Sequence, residues 1–528
     1  MKKVIVIGSG FAGLAAATTL AKAGYAVSVI EKNDTFGGRA RNFESEGFMF
    51  DMGPSWYWMP EVFEHFFQQF GRRVSDFYDL RLLDPAFQIF YGKNDVLQIP
   101  ENGKELRNLF ESIENGAGKK LDAFLAEAAY KYKIGMERLV HKPGLSLTEF
   151  ADRDFLKGAL KMHVFQSFHS YVRKHFQDPR LVRLMEFPVL FLGGAPKNTP
   201  ALYSLMNYAG LRLGTWYPMG GMYEIIAGMV ALAESMGVEF VPSDAVRNIA
   251  VRYGKACGVY TDSGYYSADA VVAAADYHHV EQNLLLPKDR SYDNAYWQSR
   301  VMAPSSLIFY LGLNKKIDGL QHHNLFFDED LDVHADEIYH NQQWPSKPLF
   351  YVCCPSKTDD SVAPDGCENL FVLIPLAPGL KDVEEMREKY FKIVIGRLEA
   401  LVGKEIASHV IFKRSYCIND FENDYNAFRG NAYGLANTLR QTAIFKPSLR
   451  SKKVENLFFA GQLTVPGPGV PPSLISGQIA ARELDKYLKS GTKRSAKLAL
   501  SLTSLNITKT DSFNKGRPEA HDQEKACG

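Results

Sequence analysis

The stretch VIVIGSGFAG, residues 4–13, decides the fold that this sequence predicts. Val4 to Ile7 is a continuous β-branched run, which is typical of a parallel strand buried on both faces. An alanine-rich helix is predicted over 14–23, and a second apolar strand over 26–30. Three glycines therefore stand at a turn between a strand and a helix, which is the arrangement of dinucleotide-binding units.

Each glycine of this turn has its own predicted role. Gly8 permits the tight turn, Gly10 lets the backbone approach a pyrophosphate, and Gly13 lets helix and strand pack closely. The start of the helix offers N–H groups and a partial positive charge to phosphates. Glu31 ends the second strand, where it can accept hydrogen bonds from ribose hydroxyls and repel the 2′-phosphate of NADP. The alternative is a tight turn that binds nothing.

The segment after the second strand favours FAD over NAD. Lys32 follows the acidic residue directly, and Gly37, Gly38 and Arg39 come soon afterwards. Glycines at this point allow a loop to fold back over the nucleotide, and Arg39 can neutralise phosphate charge. A surface salt bridge is the alternative interpretation of Arg39.

A second glycine-rich turn stands near the other end of the chain. Residues 454–461 predict a strand that ends in glycine, and Ile475 to Leu488 predicts a helix. The loop between them, Gly461 to Ser473, is rich in glycine and proline, and we expect its prolines to keep the helix from starting early. This turn again directs backbone N–H groups at a ligand.

A segment in the middle of the chain is also predicted to contribute strands to the nucleotide-binding domain. Val246–Val251 and Ala256–Thr261 predict a hairpin, and Asp269–Ala275 predicts an apolar strand ending at Asp276. The predicted fold class is therefore α/β, with a discontinuous Rossmann-like FAD-binding domain and an α+β substrate domain. The predicted boundaries are 1–80, 222–300 and 440–490 for the FAD-binding domain, 81–221 and 301–439 for the substrate and membrane-facing domain, and 491–528 for a flexible C-terminal tail.

The composition of the chain limits the classes of protein and of partner that remain possible. A chain of 528 residues is too long for one compact core, and its net charge of +1 gives no electrostatic case for a nucleic-acid partner. The 6 cysteines include no CxxC pair, which fits a reducing, cytoplasmic setting without structural zinc. No uncharged apolar run reaches the roughly 18 residues of a transmembrane helix, and this leaves peripheral membrane contact open.

Three remote motifs resemble those of the bacterial carotenoid desaturases, a group within the amine oxidase-like flavoproteins. Many members of that group have a histidine at the position of Val465, and related flavoproteins often have an acidic residue at Gln462. The flavin contact implied at Gln462 is therefore one through the backbone. The motifs are Gly214–Gly221, Asp424–Leu435 and Ala460–Pro471, and the resemblance runs from Met1 to about Leu488.

The resemblance implies desaturation of a long polyene, with phytoene as the first candidate and neurosporene or lycopene as the product. It also implies FAD as hydride acceptor, oxygen or a quinone as final electron acceptor, and attachment to the inner face of the cell membrane, where the substrate resides. Related alternatives are 3,4-desaturation of a hydroxycarotenoid, isomerisation and oxygenation. A non-enzymatic prenyl-lipid-binding protein on the same fold is a further alternative.

The predicted site consists of cofactor-binding residues and no assigned catalytic side chain. A hydrocarbon substrate needs apolar volume and alignment beside the flavin rather than a polar clamp. No metal site is predicted, because the adjacent histidines 278–279 and 322–323 are expected to point to opposite faces. The residues assigned to FAD binding are Gly8, Gly10, Phe11, Ala12, Gly13, Glu31, Lys32, Gly38, Arg39, Gly53, Pro54, Ser55, Val246, Gly461, Gln462, Gly469, Val470 and Pro471.

Overall fold

The computed structural model describes residues 1–146, 149, 163, 166–192, 194–438 and 441–506. At 190–192, 443 and 491–506 it describes the backbone alone. Two sheets, each covered on its outer side, dominate the described part of the chain, and the candidate site lies between them.

The first of these sheets is parallel and has five strands. Its central strand, Lys3–Ile7, has Val4 and Val6 packed with the helices on one face and Ile5 and Ile7 packed with a small antiparallel sheet on the other. Burial on both faces explains why this run is apolar without alternation. The strand order is Leu457–Phe459, Ala270–Ala273, Lys3–Ile7, Ala26–Ile30, Glu239–Val241.

The first helix, Phe11–Lys22, packs closely on the strand before it and on the long helix Val470–Asn506. A Cβ on Gly13 would overlap the carbonyl oxygen of Gly8, and a Cβ on Gly477 would overlap the carbonyl oxygen of Ala12. Only glycine permits such backbone approaches. The packing role predicted for Gly13 is therefore what the structure shows.

The long C-terminal helix begins five positions before the residue that the sequence predicted. The expectation that prolines delay this helix is wrong, because Pro471 and Pro472 lie in its first turn. Proline is tolerated there, since the N–H groups of a first turn have no intrahelical acceptor. The helix continues to Asn506, into the predicted tail, and residues 507–528 lie outside the described residues.

The second large sheet has seven strands. Within it Phe309 and Leu311 pack beneath the helix Glu384–Val402, whereas Ile308 and Tyr310 face the first layer. This alternation follows from the two-residue period of a strand. His323–Phe326 is parallel to its neighbour Phe87–Gly92, and the other described pairs are antiparallel. The strand order is Val410–Tyr416, Ser305–Leu313, Glu368–Leu376, Phe350–Cys353, His323–Phe326, Phe87–Gly92, Asp95–Ile99.

Smaller elements complete the described chain. The small sheets are Val246–Arg252 with Lys255–Thr261 and Tyr265–Ser267, Asn42–Ser45 with Phe48–Asp51, and Leu80–Leu82 with Trp216–Pro218. The remaining α-helices are Pro60–Gln68, Gly103–Ile113, Ala117–Ile134, Phe168–His175, Pro179–Glu186, Leu205–Arg212, Tyr223–Ser235, Tyr277–His279, Asn294–Gln298, Leu331–Tyr339 and Ile418–Tyr425.

The α/β fold class predicted from the sequence is confirmed. The parallel sheet takes its strands from the start, the middle and the end of the chain, and the seven-stranded sheet takes its strands from 87–99 and 305–416. Among the described helices, none combines the length and the apolar character needed to cross a membrane.

Candidate active site

A cavity of about 620 Å³ lies between the two layers. This volume is in the range of small-molecule and cofactor sites. Every residue that the sequence assigned to FAD binding lines the cavity except Gly13, which lies behind the first turn against Gly8. The structure therefore brings residues from both ends and the middle of the chain to one place.

The nucleotide end of the cavity is formed by Gly8, Gly10, Glu31, Gly38 and Arg39. Gly8 has a φ of 95°, which the tight turn requires. A Cβ on Gly10 would meet one described atom within 4 Å, a carbonyl oxygen at 3.9 Å, so the space beside it is open to the cavity. No side chain of the described residues caps the helix that starts here, which leaves its first N–H groups to a ligand such as phosphate.

Glu31 is buried and its carboxylate is held by two neighbours that sequence reasoning missed. Its Oε2 accepts hydrogen bonds from the N–H and the Oγ of Ser9, at 2.9 and 2.7 Å. Its Oε1 accepts bonds from the N–H and the side-chain amide of Asn33, at 2.9 and 3.1 Å. These four bonds match the roughly four acceptor positions of a carboxylate, so a ribose hydroxyl would take the place of one of the two side-chain donors. The dinucleotide motif names the acidic residue but not the groups that orient it, which is why Ser9 and Asn33 were not predicted.

Arg39 supplies positive charge to the nucleotide end. Its Nη2 donates to the carbonyl oxygen of Asn431 at 3.2 Å and, with the Gln462 amide turned to present its oxygen, to that oxygen at 3.1 Å. Its Nε is buried without a hydrogen-bond partner among the described residues. Because buried donors are normally satisfied, this nitrogen fits an anionic or carbonyl group of a ligand in the cavity. Arg39 forms no surface salt bridge with the described residues, because none of their carboxylates lies within salt-bridge distance of it.

Arg41 has a different role from Arg39 although both approach the ring of Tyr425. Its Nη2 forms a salt bridge of 2.6 Å with Asp424, and its guanidinium lies 5.4 Å from the centre of that ring. Arg39 lies 5.2 Å from the same ring centre. The Nε of Arg41 is, like that of Arg39, without a hydrogen-bond partner among the described residues, so the two arginines differ in that Arg41 is paired with a carboxylate, whereas Arg39 lines the cavity.

Asp276 is a further acidic group in the cavity wall that the sequence analysis did not assign to the site. Its carboxylate accepts N–H bonds from His279 at 3.2 Å and from Phe428 at 3.4 Å. Burial raises the pKa of Asp276 to about 6, and the charge of Arg39 opposes that rise. Its position at the carboxyl end of a parallel strand is a signal that could have identified it.

The C-terminal turn meets the first turn. A Cβ on Gly461 would lie 3.9 Å from the Cβ of Ala12, and the N–H of Gly461 donates to Ser476 Oγ at 2.9 Å. The same hydroxyl donates to the carbonyl oxygen of Val465 at 2.7 Å, which fastens the turn to the long helix. Gly469 has a φ of 110°, and Val470 and Pro471 line the cavity from the first turn of the helix.

The other assigned residues reach the cavity from three loops. A Cβ on Gly53 would overlap the carbonyl oxygen of Arg39, so the two loops are in backbone contact. Ser55 Oγ accepts a hydrogen bond from Tyr351 at 3.1 Å. Lys32 donates to the carbonyl oxygen of Asn423, and burial lowers the pKa of this lysine. Pro54 and Val246 complete the wall.

The apolar end of the cavity is formed by Trp56, Met206, Ile308, Tyr351 and Leu373. Three of these five side chains stand on strands of the seven-stranded sheet, which makes this wall rigid. The ring of Trp56 stacks on His323 at 4.1 Å with an angle of 10° between the planes. Such a surface suits an extended hydrocarbon rather than a polar substrate.

The two histidines 322 and 323 do not point to opposite faces, and that expectation is wrong. Their ring centres lie 4.5 Å apart and both side chains are buried. The strand begins at His323, so His322 lies before the alternation that the expectation assumed. Neither residue lines the large cavity.

Comparison with known proteins identifies the family. Residues 11–485 match the family model described as flavin containing amine oxidoreductase. The chain belongs to this family. The predictions of FAD as cofactor and of an oxidoreductase are thereby confirmed, and the glycine turns, Glu31 and the free donor of Arg39 fit that cofactor.

The relatives of this chain include carotenoid desaturases, the group that its sequence resembles. A carotenoid 3,4-desaturase of Haloarcula japonica is 40% identical over 482 residues, which are 91% of this chain and 97% of that protein. A zeta-carotene-forming phytoene desaturase of Myxococcus xanthus is 33% identical over 92% of this chain and 94% of its own. A solved oxidoreductase from Methanosarcina mazei, with a TM-score of 0.60, 17% identity and coverage of 91% and 100%, shows the fold alone. The predicted resemblance to carotenoid desaturases is confirmed.

Proposed function

We propose that this flavoenzyme is a carotenoid desaturase, and that its target is the 3,4 carbon–carbon bond of a carotenoid end group. The observation that carries the proposal is one cavity with a dinucleotide-binding end and an aromatic, apolar end. The identity of 40% to a carotenoid 3,4-desaturase supports this bond. Phytoene, the substrate predicted first from the sequence, is the second candidate, and the 33% identity to a phytoene desaturase supports it.

The nucleotide end would hold the cofactor by its backbone and by few side chains. We assign the pyrophosphate to the turn at Gly10 and to Arg39, the ribose to Glu31, and the flavin side to the C-terminal turn from Gly461 to Val470. When bound there, FAD would supply an acceptor for a hydride, which carries two electrons.

The apolar end would align the polyene and stabilise the charge that develops on it. Loss of a hydride from an allylic carbon leaves a delocalised cation, and loss of a proton from the neighbouring carbon turns the single bond between them into a double bond. The faces of Trp56 and Tyr351 are electron-rich and suit such a cation. No polar clamp is required, because the substrate has no heteroatom at the reacting bond.

The partners of the reaction follow from the same chemistry. A carotenoid dissolves in the bilayer, so we infer that the enzyme takes its substrate from the membrane surface on the cytoplasmic side. We also infer that oxygen or a quinone removes the electrons that the cofactor has received, since the enzyme must be reoxidised before the next turnover.

Expression in three hosts distinguishes between the two candidate substrates. One host accumulates phytoene, one lycopene, and one a hydroxylated carotenoid that is saturated at the 3,4 bond, and the pigments are separated by chromatography. We expect two hydrogens to be lost from the third pigment, with absorption moved to longer wavelength, and phytoene to remain unchanged. Conversion of phytoene alone would favour the second candidate. A yellow, FAD-loaded protein that converts none of the three would contradict the proposal, and the Gly10→Leu variant is the inactive control.

A further inference from the structure

A group of potential metal ligands lies beside the apolar end, separate from the site described above. The side chains of His322, His323 and Cys353 are 4%, 0% and 2% exposed, and their ligand atoms all lie within 4.8 Å of one another. His323 and Cys353 are register partners on neighbouring antiparallel strands, so their side chains share a face of the sheet. His322 joins them because it precedes the strand.

The hydrogen bonds of the two imidazoles leave one nitrogen of each ring available. His322 Nδ1 lies 2.8 Å from the hydroxyl of Thr358, and His323 Nδ1 lies 2.6 Å from the hydroxyl of Tyr351. Both Nε2 atoms are buried without a hydrogen-bond partner among the described residues. A histidine that ligates a metal typically bonds an outer group through its other nitrogen, as both rings do here.

The space beside His322 and Cys353 admits an ion or a single water. A small cavity of about 20 Å³ is lined by His322 and Cys353 together with Asp51 and Tyr217. That volume exceeds the roughly 10–15 Å³ that one water needs. Asp51 also lines this cavity, and its carboxylate accepts N–H bonds from Met222 and Tyr223 at 2.7 and 3.0 Å, so it would act on a cation through charge rather than as a ligand.

We propose that His322, His323 and Cys353 form a structural zinc site. Two imidazoles and a thiolate are a donor set that Zn²⁺ prefers, and the cavity beside them offers the fourth position to water. Three protein ligands with an open fourth position are the usual set of a catalytic zinc ion, but Trp56, stacked on His323, lies between this group and the substrate side of the large cavity, so we assign the ion a structural role. The ion would hold His323 and, through it, Trp56 and Tyr351 in the wall that aligns the substrate.

Metal analysis of the purified FAD-loaded protein tests the site. We expect about one zinc per chain after growth with zinc and removal of loosely bound metal. Cys353→Ser and His323→Gln should each lower the zinc content at least about tenfold, since each removes a ligand. The matched control is Cys354→Ser: this thiol is equally buried, but its Sγ lies 3.5 Å from the hydroxyl of Ser356 on the other face of the sheet. Cys354→Ser should keep its zinc.

Cobalt provides a second measurement that does not depend on the variants. Co²⁺ in a tetrahedral site with a thiolate ligand absorbs at longer wavelengths than oxidised flavin, so the wild-type protein loaded with Co²⁺ should show these bands. Wild-type protein with less than about one-tenth of a zinc per chain and no cobalt bands would overturn the proposal and leave a buried water between the two histidines. Equal zinc in Cys353→Ser, with its flavin spectrum intact, would also overturn it. Neither result bears on the proposed desaturase activity.

Discussion

The two ends of the large cavity are built in opposite ways. The nucleotide end consists of turns with glycines, a helix start and a few hydrogen-bonded side chains, such as Glu31 and Arg39. The apolar end consists of large side chains such as Trp56, Ile308 and Tyr351, fixed on or against the seven-stranded sheet. A cofactor held by backbone geometry constrains the sequence at fixed spacings, whereas a substrate held by shape requires only apolar volume.

Replacing Gly10 by leucine should give the largest effect, because it changes the nucleotide end and leaves the apolar end as it is. Gly10 has a φ of −70°, which leucine adopts without strain, so we expect the fold to persist. The new side chain would fill the open space beside the turn, and we expect no measurable FAD in the purified protein. The flavin absorption spectrum and the melting temperature are the measurements. Gly92→Leu, at a surface position with open space, is the control and should remain yellow.

The glycine turns also show how far the sequence predicts this molecule. The strands and turns of the parallel sheet were predicted because local spacing determines them, and the residues assigned to the cofactor, except Gly13, line one cavity. The predicted start of the long helix is wrong, since a loop that contains Pro471 and Pro472 is also what the first turn of a helix can look like in sequence. Tyr351 and the group around His323 were missed because strands far apart in sequence bring them together.

Replacing Arg39 by glutamine should weaken FAD binding without removing it. Loss of a charge-assisted bond to phosphate costs about 1.5–3 kcal/mol, or roughly a 10- to 100-fold rise in Kd. Titration of apo-protein with FAD measures the change. Arg41→Gln is the control: its partner is Asp424, so we expect a lower melting temperature and a much smaller change in Kd. Equal losses of affinity in the two variants would contradict the separate roles of these arginines.

Replacing Trp56 by leucine tests the apolar end with the nucleotide end unchanged. Loss of an aromatic face opposite a developing cation is worth about 1 kcal/mol, so we expect a fall of roughly 5- to 10-fold in kcat/KM for the carotenoid. The flavin content should equal that of the wild-type protein. A variant with lost FAD and unchanged turnover per bound flavin would show that Trp56 belongs to the cofactor site instead.

Replacing Lys446 by methionine should have the smallest effect on the two ends of the cavity and should appear instead as a pH dependence of stability. Lys446 is 4% exposed, its Nζ has no hydrogen-bond partner among the described residues, and burial lowers its pKa to about 7. An unfolded lysine has a pKa of about 10.4. The folded protein therefore loses free energy of unfolding as the pH falls from about 10 to about 7, by roughly 1.4 kcal/mol for each unit of pKa difference.

Lys446→Met removes this loss, so the variant should gain stability over the wild-type protein as the pH falls through that interval, with a constant difference below it. Urea unfolding at several pH values measures the difference, and Lys452→Met, at an exposed position, is the control. The variant also tests the border of the nucleotide end, because Lys446 packs against Gly467 in the C-terminal turn without lining the large cavity. Unchanged FAD affinity is expected if the turn acts through its backbone, whereas a rise in Kd would make Lys446 a second cation of the nucleotide end beside Arg39.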